Sequence, residues 1–184
     1  MATVSIVGDG PGGLSAALFL AKNGHSVTVF GDDNTAMHYA YLRNYLGIPE
    51  IAGSDLQQIA RGQAAAFGAI MDARRVTVVA AAADGLSVTL DDGSTATADY
   101  LVLSEGKTPQ LAKAMGLDFD GPAIAIDRDQ RTSVPRVYAV GRSTRPTRSQ
   151  AIISAGAGAA AALDILAREA GEDIQDWDTP PKEA

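Results

Sequence analysis

The chain has 184 residues, of which 46% are hydrophobic, and this size and composition fit one globular domain with a substantial core. Its formal net charge of −7 at pH 7 argues against nucleic acid and anionic membranes as partners, because an acidic surface repels polyanions. The absence of cysteine excludes a disulfide framework, a redox dithiol and a thiolate metal site, and the two histidines argue against a histidine-rich metal centre.

The N-terminal segment has the pattern of a strand, a glycine-rich turn, a helix and a second strand. Residues 4–7 form a short apolar run, residues 14–22 carry apolar side chains at helical spacing, and residues 26–30 are rich in β-branched side chains. Asn23 and Gly24 are typical of the end of a helix. The segment therefore predicts one βαβ unit.

Nothing in the sequence before this unit has the pattern of a targeting segment. No charged leader precedes the first strand, and no apolar stretch approaches the ~20 residues of a membrane span. We therefore expect a soluble, cytoplasmic protein.

The rest of the chain alternates between apolar runs and turn-forming residues. A capping box of Ser54 and Gln57 predicts the start of the second helix, and Asp91-Asp92-Gly93 predicts a hairpin turn. The predicted elements are an irregular connection at 31–53, a helix at 54–67, a strand at 69–71, an antiparallel meander at 75–98, strands at 100–103, 123–126 and 137–140, and a helix at 150–170.

Together these elements predict an α/β fold of Rossmann-like type, with a central parallel sheet, helices packed on it and a small antiparallel β-meander. The strands at 4–7, 26–30, 100–103 and 137–140 are expected to be parallel, with the ligand loops at their C-terminal ends. Gly156 and Gly158 lie inside the last, alanine-rich helix, and we interpret them as sites of close packing between helix and sheet.

The turn after the first strand fits the dinucleotide-binding fingerprint GxGxxG. Gly8 permits the tight turn, Gly10 lets the backbone approach a pyrophosphate, and Gly13 lets the helix pack on the strand. The free N–H groups and the positive end of the helix dipole would then meet the phosphates. The fingerprint also expects an acid about 20 residues further on, to bind a ribose. That position is Gly31, and Asp32 and Asp33 follow it: either one reaches the ribose after a small shift of the turn, or both are solvated turn aspartates.

Four segments in the same order resemble the low-molecular-weight thioredoxin reductases and related flavoproteins. They are GDGPGGLSAALFLAKNGHSVTVF at 8–30, NYLGIPEIAGSDLQQIARGQAAAFGA at 44–69, VTLDDGSTATADYLVLSEGKTPQL at 88–111 and RTSVPRVYAVGRSTRPTRSQAIISAGAGAAAA at 131–162. The resemblance implies a Rossmann-like FAD-binding domain over residues 1–170, formed from two FAD segments at 1–106 and 122–170, and a C-terminal tail at 171–184. It also implies FAD as the cofactor and association as a homodimer.

The family's NAD(P)H-binding domain and its CxxC motif are missing. Only residues 107–130 lie where that domain is inserted, which is too short for a βαβ unit of about 30 residues. The resemblance therefore implies an FAD domain alone, most simply an oxidoreductase with an external donor, which would be NAD(P)H, a ferredoxin-like protein or a small substrate. The alternatives are a non-catalytic flavin-binding module or regulatory subunit, and a site for NAD(P) or another nucleotide.

The resemblance also implies roles for single residues. The pyrophosphate would lie against Gly10, Pro11, Gly12 and Gly13, and the adenine against the backbone of Val76. Asn44 would lie near the flavin, Gly106 would line the site, Gly141 would approach the phosphates or the ribityl chain, and Gln150 and Ala151 would face the isoalloxazine edge.

Three positions depart from the family. Arg142 replaces an acid that binds a ribityl hydroxyl, and we expect its guanidinium to pair with a phosphate instead. Glu105 replaces a small polar residue, and Gly31 replaces the ribose-binding acid.

No catalytic residue is assigned from the sequence. His38 is a candidate proton donor to the flavin, but a surface histidine is the preferred interpretation. Arg145 and Arg148 are interpreted as part of a solvated loop, and Trp177 as part of a frayed end rather than a cover for a pocket or a subunit neighbour.

Overall fold

A computed structural model describes residues 1–82 and 85–180. The α-helices are α1 (Pro11–Lys22), α2 (Gly53–Ala66), α3 (Gln110–Ala114) and α4 (Ala151–Ala170). The strands are β1 (Thr3–Val7), β2 (Ser26–Phe30), β3 (Tyr41–Leu42), β4 (Ile51–Ala52), β5 (Ile70–Asp72), β6 (Val76–Ala82), β7 (Gly85–Leu90), β8 (Thr95–Ala98), β9 (Tyr100–Leu103), β10 (Phe119–Asp120), β11 (Ala123–Ile124) and β12 (Val137–Ala139). Single 3₁₀ turns lie at Ala36–Tyr39 and Gly141–Ser143.

Five strands form a parallel sheet in the order β12-β9-β1-β2-β5. The predicted parallel arrangement is thereby confirmed. Strand β9 is buried along its whole length, as expected of a strand covered on both faces. Its side chains alternate between two hydrophobic clusters, because successive side chains of a strand point to opposite faces.

The two faces of the sheet carry different layers. On one face α1 and α4 form a core with Ile6, Val29 and Val102. On the other face lies the predicted meander, in which β6, β7 and β8 pair antiparallel, and Val88 packs there against Leu101 and Leu103. The sheet is thus covered by helices on one side and by the meander on the other.

Helices α1 and α4 pack directly on each other through glycine. A Cβ added at Gly158 would lie 2.0 Å from the carbonyl oxygen of Gly12 and 3.0 Å from the amide nitrogen of Ala16. A Cβ added at Gly156 would meet no atom within 4 Å. The expectation of helix–sheet packing for both glycines is therefore wrong: Gly158 packs on a helix, and Gly156 has open space beside it.

Helix α4 also corrects the expectation that no apolar stretch approaches a membrane span. It has 20 residues and a mean hydropathy of 1.4, and within the described residues it is the one helix long and apolar enough to cross a membrane by length and composition. Its inner face, which includes Ala161, Ala162 and Ile165, is buried in the core. This packing buries 33% of the apolar stretch and accounts for the apolar character of the inner face of α4.

The predicted capping box of α2 is wrong. The N-cap is Ala52, and no side chain caps the helix. Gln57 is instead buried, and its Nε2 donates to the carbonyl oxygen of Asp9 at 2.5 Å. The side chain of Gln57 therefore makes a long-range hydrogen bond instead of capping the start of α2 as the local pattern predicted.

The segment beyond α4 runs back to the far end of α1. Lys22 Nζ lies 2.9 Å from Asp176 Oδ1 and 2.5 Å from Asp178 Oδ2. The side chain of Trp177 is exposed. Because α1 begins at the carboxyl edge of the sheet and Lys22 ends it about 18 Å away, this tail does not cover that edge.

The connection between β9 and β12 holds α3 and a small hairpin of β10 and β11. The hairpin turn is Gly121-Pro122, and Gly121 has a φ of 58°. A Cβ added at Gly121 would meet no atom within 4 Å. Strands β9 and β12 are parallel neighbours in the sheet, so the connection leaves at the carboxyl end of β9 and crosses to the opposite edge of the sheet to enter β12.

Candidate functional site

A cleft of about 750 Å³ opens at the carboxyl ends of β1, β2, β9 and β12. This volume is within the range of about 300–1,000 Å³ that small-molecule sites occupy. The position is also the expected one, because open α/β sheets bind ligands beyond the carboxyl ends of their strands. The cleft is closed on its other sides by the loop at 34–42, the turn at 73–76 and the start of α4.

Most of the residues predicted from the sequence line this cleft. They are Gly8, Gly10, Pro11, Gly12, Asp32, Val76, Gly106, Gly141, Arg142, Gln150 and Ala151. Gly13, Asp33 and Asn44 are not among the lining residues. A Cβ on Gly13 would lie 2.0 Å from the carbonyl oxygen of Gly8, so this glycine serves the packing of α1 on β1. Asn44 Nδ2 donates to Gln150 Oε1 at 2.9 Å, which joins the exposed loop between β3 and β4 to the start of α4.

The start of α1 has the features of an anion site. Gly10 is the N-cap, no side chain caps the helix, and the first turn contains no acidic residue. Gly10 and Gly12 line the cleft, so the helix begins at its wall. The leading N–H groups of a helix lack intrahelical partners, and together with the helix dipole they favour a negatively charged group.

Asp32 and Asp33, the two candidates for the ribose contact, lie differently with respect to the cleft. Asp32 lines the cleft. Asp33 has a φ of 63°, and its Oδ1 lies 3.3 Å from Nε2 of His38. Asp32 is therefore the better placed of the two, and His38 faces a carboxylate rather than the cleft.

Arg142 follows β12 in the 3₁₀ turn and lines the cleft. Its Nε is buried and has no hydrogen-bond partner among the described residues. No carboxylate in residues 1–82 or 85–180 forms an ion pair with it. A buried donor without a partner is unfavourable by about 1–3 kcal/mol, so the arrangement suits an anion bound in the cleft.

Glu105 lines the cleft, but its carboxylate is turned towards α3. It accepts hydrogen bonds from the backbone N–H groups of Leu111 at 2.7 Å and Ala112 at 3.0 Å. Burial raises the pKa of Glu105, and these backbone hydrogen bonds oppose the rise. The carboxylate of Glu105, which replaces a small polar residue of the family, is therefore hydrogen-bonded within the protein.

This shift has a consequence for the pH dependence of stability. Because the folded state binds the Glu105 proton more tightly, unfolding should become easier as pH rises from the ordinary pKa of 4.5 through the raised value, with no further effect above it. Urea midpoints measured across this pH range should fall less for Glu105→Gln than for the natural chain. Parallel pH profiles of the two proteins would contradict the assignment.

The cleft ends beside β5 and β6 in a charged network. Arg74 lines the cleft, and its Nη2 lies 2.5 Å from Asp72 Oδ2, while its Nη1 lies 3.1 Å from Asp92 Oδ2. Hydrogen bonds from Ser94 and then Arg74 lower the pKa of Asp92 to about 2. The network fixes the turn before Val76, the first residue of β6.

The structure adds three residues that the sequence analysis missed. They are Asp9, which follows β1, and Gln57 and Arg61 of α2, which both contact Asp9. The available signal was an acid at the second position of the glycine-rich turn together with a glycine where the fingerprint expects the acid. Gln57 and Arg61 are 48 and 52 residues away from Asp9 in sequence, so no local pattern connects the three residues.

A sequence comparison relates the chain to a known protein. A thioredoxin reductase from Spironucleus barkhanus is 33% identical over 115 residues, which cover 60% of this chain and 38% of that relative. The chain thus spans well under half the length of the relative that it matches.

Solved structures share the fold at lower identity. A thioredoxin reductase from Gloeobacter violaceus matches with a TM-score of 0.87 and 17% identity, covering 97% of this chain and 99% of that chain. The atypical thioredoxin reductase TRi from Desulfovibrio vulgaris Hildenborough matches with a TM-score of 0.81 and 19% identity, covering 94% and 99%. These likenesses establish the Rossmann-like fold.

The family itself is established by a sequence model. The model described as pyridine nucleotide-disulphide oxidoreductase matches residues 48–162, which is more than half of the chain. The matched region runs from the loop before α2 into α4 and includes the second half of the cleft. The chain belongs to the pyridine nucleotide-disulphide oxidoreductase family and is thioredoxin reductase-like.

Proposed function

We propose that the chain binds FAD in the cleft and is an oxidoreductase that takes electrons from an external donor. One observation carries the proposal: the cleft is lined both by the uncapped start of α1 and by Arg142, whose buried Nε has no hydrogen-bond partner among the described residues. Both favour a ligand with negatively charged groups. Thioredoxin reductase-like members of the family are FAD-dependent.

In the proposed complex, each part of FAD is assigned to residues of the cleft. The start of α1 would hold the pyrophosphate, Asp32 the adenosine ribose, and the backbone of Val76 the adenine. Arg142 would pair with a phosphate, and Gly106 and Gly141 would line the wall between the two halves. Gln150 and Ala151 would face the isoalloxazine edge, with Asn44 bound to Gln150 at the rim. In this proposal one FAD-binding domain extends over residues 1–170, from two segments at 1–106 and 122–170, and 171–184 form a tail.

Bound FAD would supply the electron-transfer chemistry, and the protein would orient it and control access to it. The connection from β9 to β12 contains a five-residue helix and a two-stranded hairpin, and no βαβ unit is present in it. A reductant must therefore reach the flavin from outside these residues. The candidate donors are NAD(P)H, a ferredoxin-like protein and a small substrate.

The purified protein tests this proposal directly. Flavin absorbance in the visible region and FAD released on denaturation are expected, whereas a colourless protein that retains NAD(P) would contradict FAD binding. Stopped-flow mixing with NADH, NADPH and a reduced ferredoxin then measures the rate of flavin bleaching. Reduction by none of them, and no reoxidation by added acceptors, would favour a flavin-binding module without turnover.

Arg142→Ala is expected to weaken FAD binding by about ten- to a hundredfold. The reason is the loss of a charge-assisted contact worth on the order of 1.5–3 kcal/mol. The dissociation constant is measured by quenching of flavin fluorescence. An unchanged constant would place the guanidinium outside the binding contact.

Arg142→Asp separates two geometries of the site. If aspartate binds FAD more tightly than alanine at this position, the ribityl geometry of the family is retained. If aspartate is worse than alanine, the site has been rebuilt around a cation. The second outcome is expected, because Arg142 lines the cleft and forms no ion pair with a carboxylate of the described residues.

The proposed assembly is a homodimer. The resemblance to thioredoxin reductases supports it, and so does a second groove of about 530 Å³ along the outer face of α4. Apolar and small residues line much of this groove, including Ile153, Gly156, Ala157 and Ala160. Light scattering at micromolar concentration should give twice the chain mass, and a monomer would contradict the proposal.

The proposed location is the cytoplasm, with neither nucleic acid nor membrane as a partner. The net charge of −7 supports the exclusion of both polyanions. The packing of α4 into the core supports a soluble role for the most apolar helix.

A further inference from the structure

The carboxylate of Asp9 occupies the space beside Gly31. A Cβ built on Gly31 would lie 2.4 Å from Cγ of Asp9 and 2.6 Å from its Oδ1. Such distances are not tolerated, and the contacting atoms are part of a buried side chain that is 3% exposed. Position 31 is where the dinucleotide fingerprint expects an acid. A carboxylate therefore does lie against position 31, but it belongs to Asp9, which follows β1, and not to the residue that follows β2.

Helix α2 neutralises and fixes Asp9. Nη1 of Arg61 forms an ion pair with Asp9 Oδ2 and lies 3.5 Å from the carbonyl oxygen of Gly31. One helical turn earlier, Gln57 donates to the carbonyl oxygen of Asp9 at 2.5 Å. A buried carboxylate requires such partners, since an unpaired charge in the interior is strongly unfavourable. Arg61 thus holds the side chain of Asp9, and Gln57, four residues earlier in α2, holds its backbone.

Asp9 also anchors the turn that follows Gly31. The backbone N–H of Asp33 donates to Asp9 Oδ2 at 3.0 Å, and Asp33 has the left-handed φ of 63°. A non-glycine residue in that region is held there by its surroundings. The preceding residue, Asp32, lines the cleft. The position of Asp32 is therefore coupled to the buried carboxylate of Asp9.

We propose that Asp9 is a positioning residue that has exchanged places with the acid of the dinucleotide fingerprint. Its carboxylate requires glycine at position 31, and by fixing the 31–33 turn it transfers the ribose contact to Asp32. This proposal rests on the proposed binding of an adenine dinucleotide in the cleft. The coupling between Asp9 and Gly31 is a property of the folded chain and holds without a ligand.

The coupling is tested by melting temperatures of the ligand-free protein. Gly31→Ala should lower the melting temperature by about 5 °C or more, because its Cβ overlaps the Asp9 side chain. The double variant Asp9→Gly with Gly31→Ala should be more stable than the sum of the two single effects, since the new Cβ fills the vacated space. Gly62→Ala in α2 is the matched control, because a Cβ there meets no atom within 4 Å.

The ribose contact is tested by competition with ADP and 2′-deoxy-ADP. The natural chain should prefer ADP by about tenfold, because a hydroxyl bound by a carboxylate is lost in the deoxy compound. Asp32→Asn should reduce this preference, and so should Asp9→Asn, which keeps the side-chain volume. The double variant Asp9→Gly with Gly31→Glu should restore it by returning an acid to position 31. A merely structural role of Asp9 would lower both affinities equally and leave their ratio unchanged.

Several results would overturn the proposal. They are a Gly31→Ala variant as stable as the natural chain, additive effects in the melting-temperature series, and a nucleotide preference that Asp32→Asn leaves unchanged. If Gly31→Ala does not fold, a folded double variant supports the coupling and an unfolded one overturns it. If the natural chain binds neither FAD nor ADP, the proposed function fails, while the melting temperatures still decide the coupling of Asp9 and Gly31.

Discussion

Gly158→Ala is expected to destabilise the protein by about 2–3 kcal/mol or more, although it adds only a single methyl group. The added carbon would lie 2.0 Å from the carbonyl oxygen of Gly12 and 3.0 Å from the amide nitrogen of Ala16. Both atoms belong to the backbone of α1, so α1 and α4 must move apart to accept the methyl group. Urea unfolding followed by circular dichroism measures the change.

Gly156→Ala is the matched control in the same helix. A Cβ at this position meets no atom within 4 Å, and alanine is favoured over glycine inside a helix by about 0.5–1 kcal/mol. Gly156→Ala is therefore expected to raise the stability slightly, whereas Gly158→Ala, two residues further along α4, lowers it. Equal effects at the two positions would contradict the packing of α4 on α1.

Gly10→Val is expected to leave the protein folded and to abolish the flavin binding that we propose. A Cβ at Gly10 would find only Ser104 Oγ, at 3.9 Å, so the fold has room for a side chain there. Gly10 has a φ of −69°, which valine adopts without strain. The side chain would instead fill the approach to the start of α1, and FAD affinity should fall by at least about a hundredfold. The measurements are flavin content and melting temperature of the ligand-free protein.

Gly13→Ala gives the opposite result if the two glycines have the roles assigned to them. Its Cβ would lie 2.0 Å from the carbonyl oxygen of Gly8, and the loss should appear as reduced stability even without a ligand. A Gly10→Val protein that retains the full flavin content would show that the fingerprint is not the binding site.

The parallel sheet could be predicted because the residues that specify each strand lie within that strand or in the turn directly after it. The segment at 26–30 is rich in β-branched residues, and the segment at 100–103 is apolar. A glycine-rich turn follows the strand at 4–7, and a single glycine follows the strand at 137–140. These patterns predict buried strands joined through helices, and the observed order places all four in one parallel sheet. Asn23 and Gly24 likewise end α1 as expected, because a helix end depends on residues next to it.

The errors arose where distant contacts decide the outcome. Gln57 satisfies the pattern of a capping box, but its side chain is drawn to the backbone of Asp9, and the helix begins without a side-chain cap. Gly158 was placed against the sheet because the sequence does not reveal which element faces a helix. Asp32 and Asp33 were equivalent in sequence and differ in the structure through the hydrogen bond from Asp33 to Asp9.

The hairpin turn at Gly121-Pro122 makes the chain a natural host for protein engineering. An exposed turn with open space around it tolerates insertion, and the two ends of this connection enter neighbouring strands β9 and β12. A reductase module spliced into the turn would be tethered at both ends to the domain that carries the cleft. Such a chimera would replace diffusional encounter with a donor by a fixed local concentration, so its turnover would no longer depend on the amount of donor protein added.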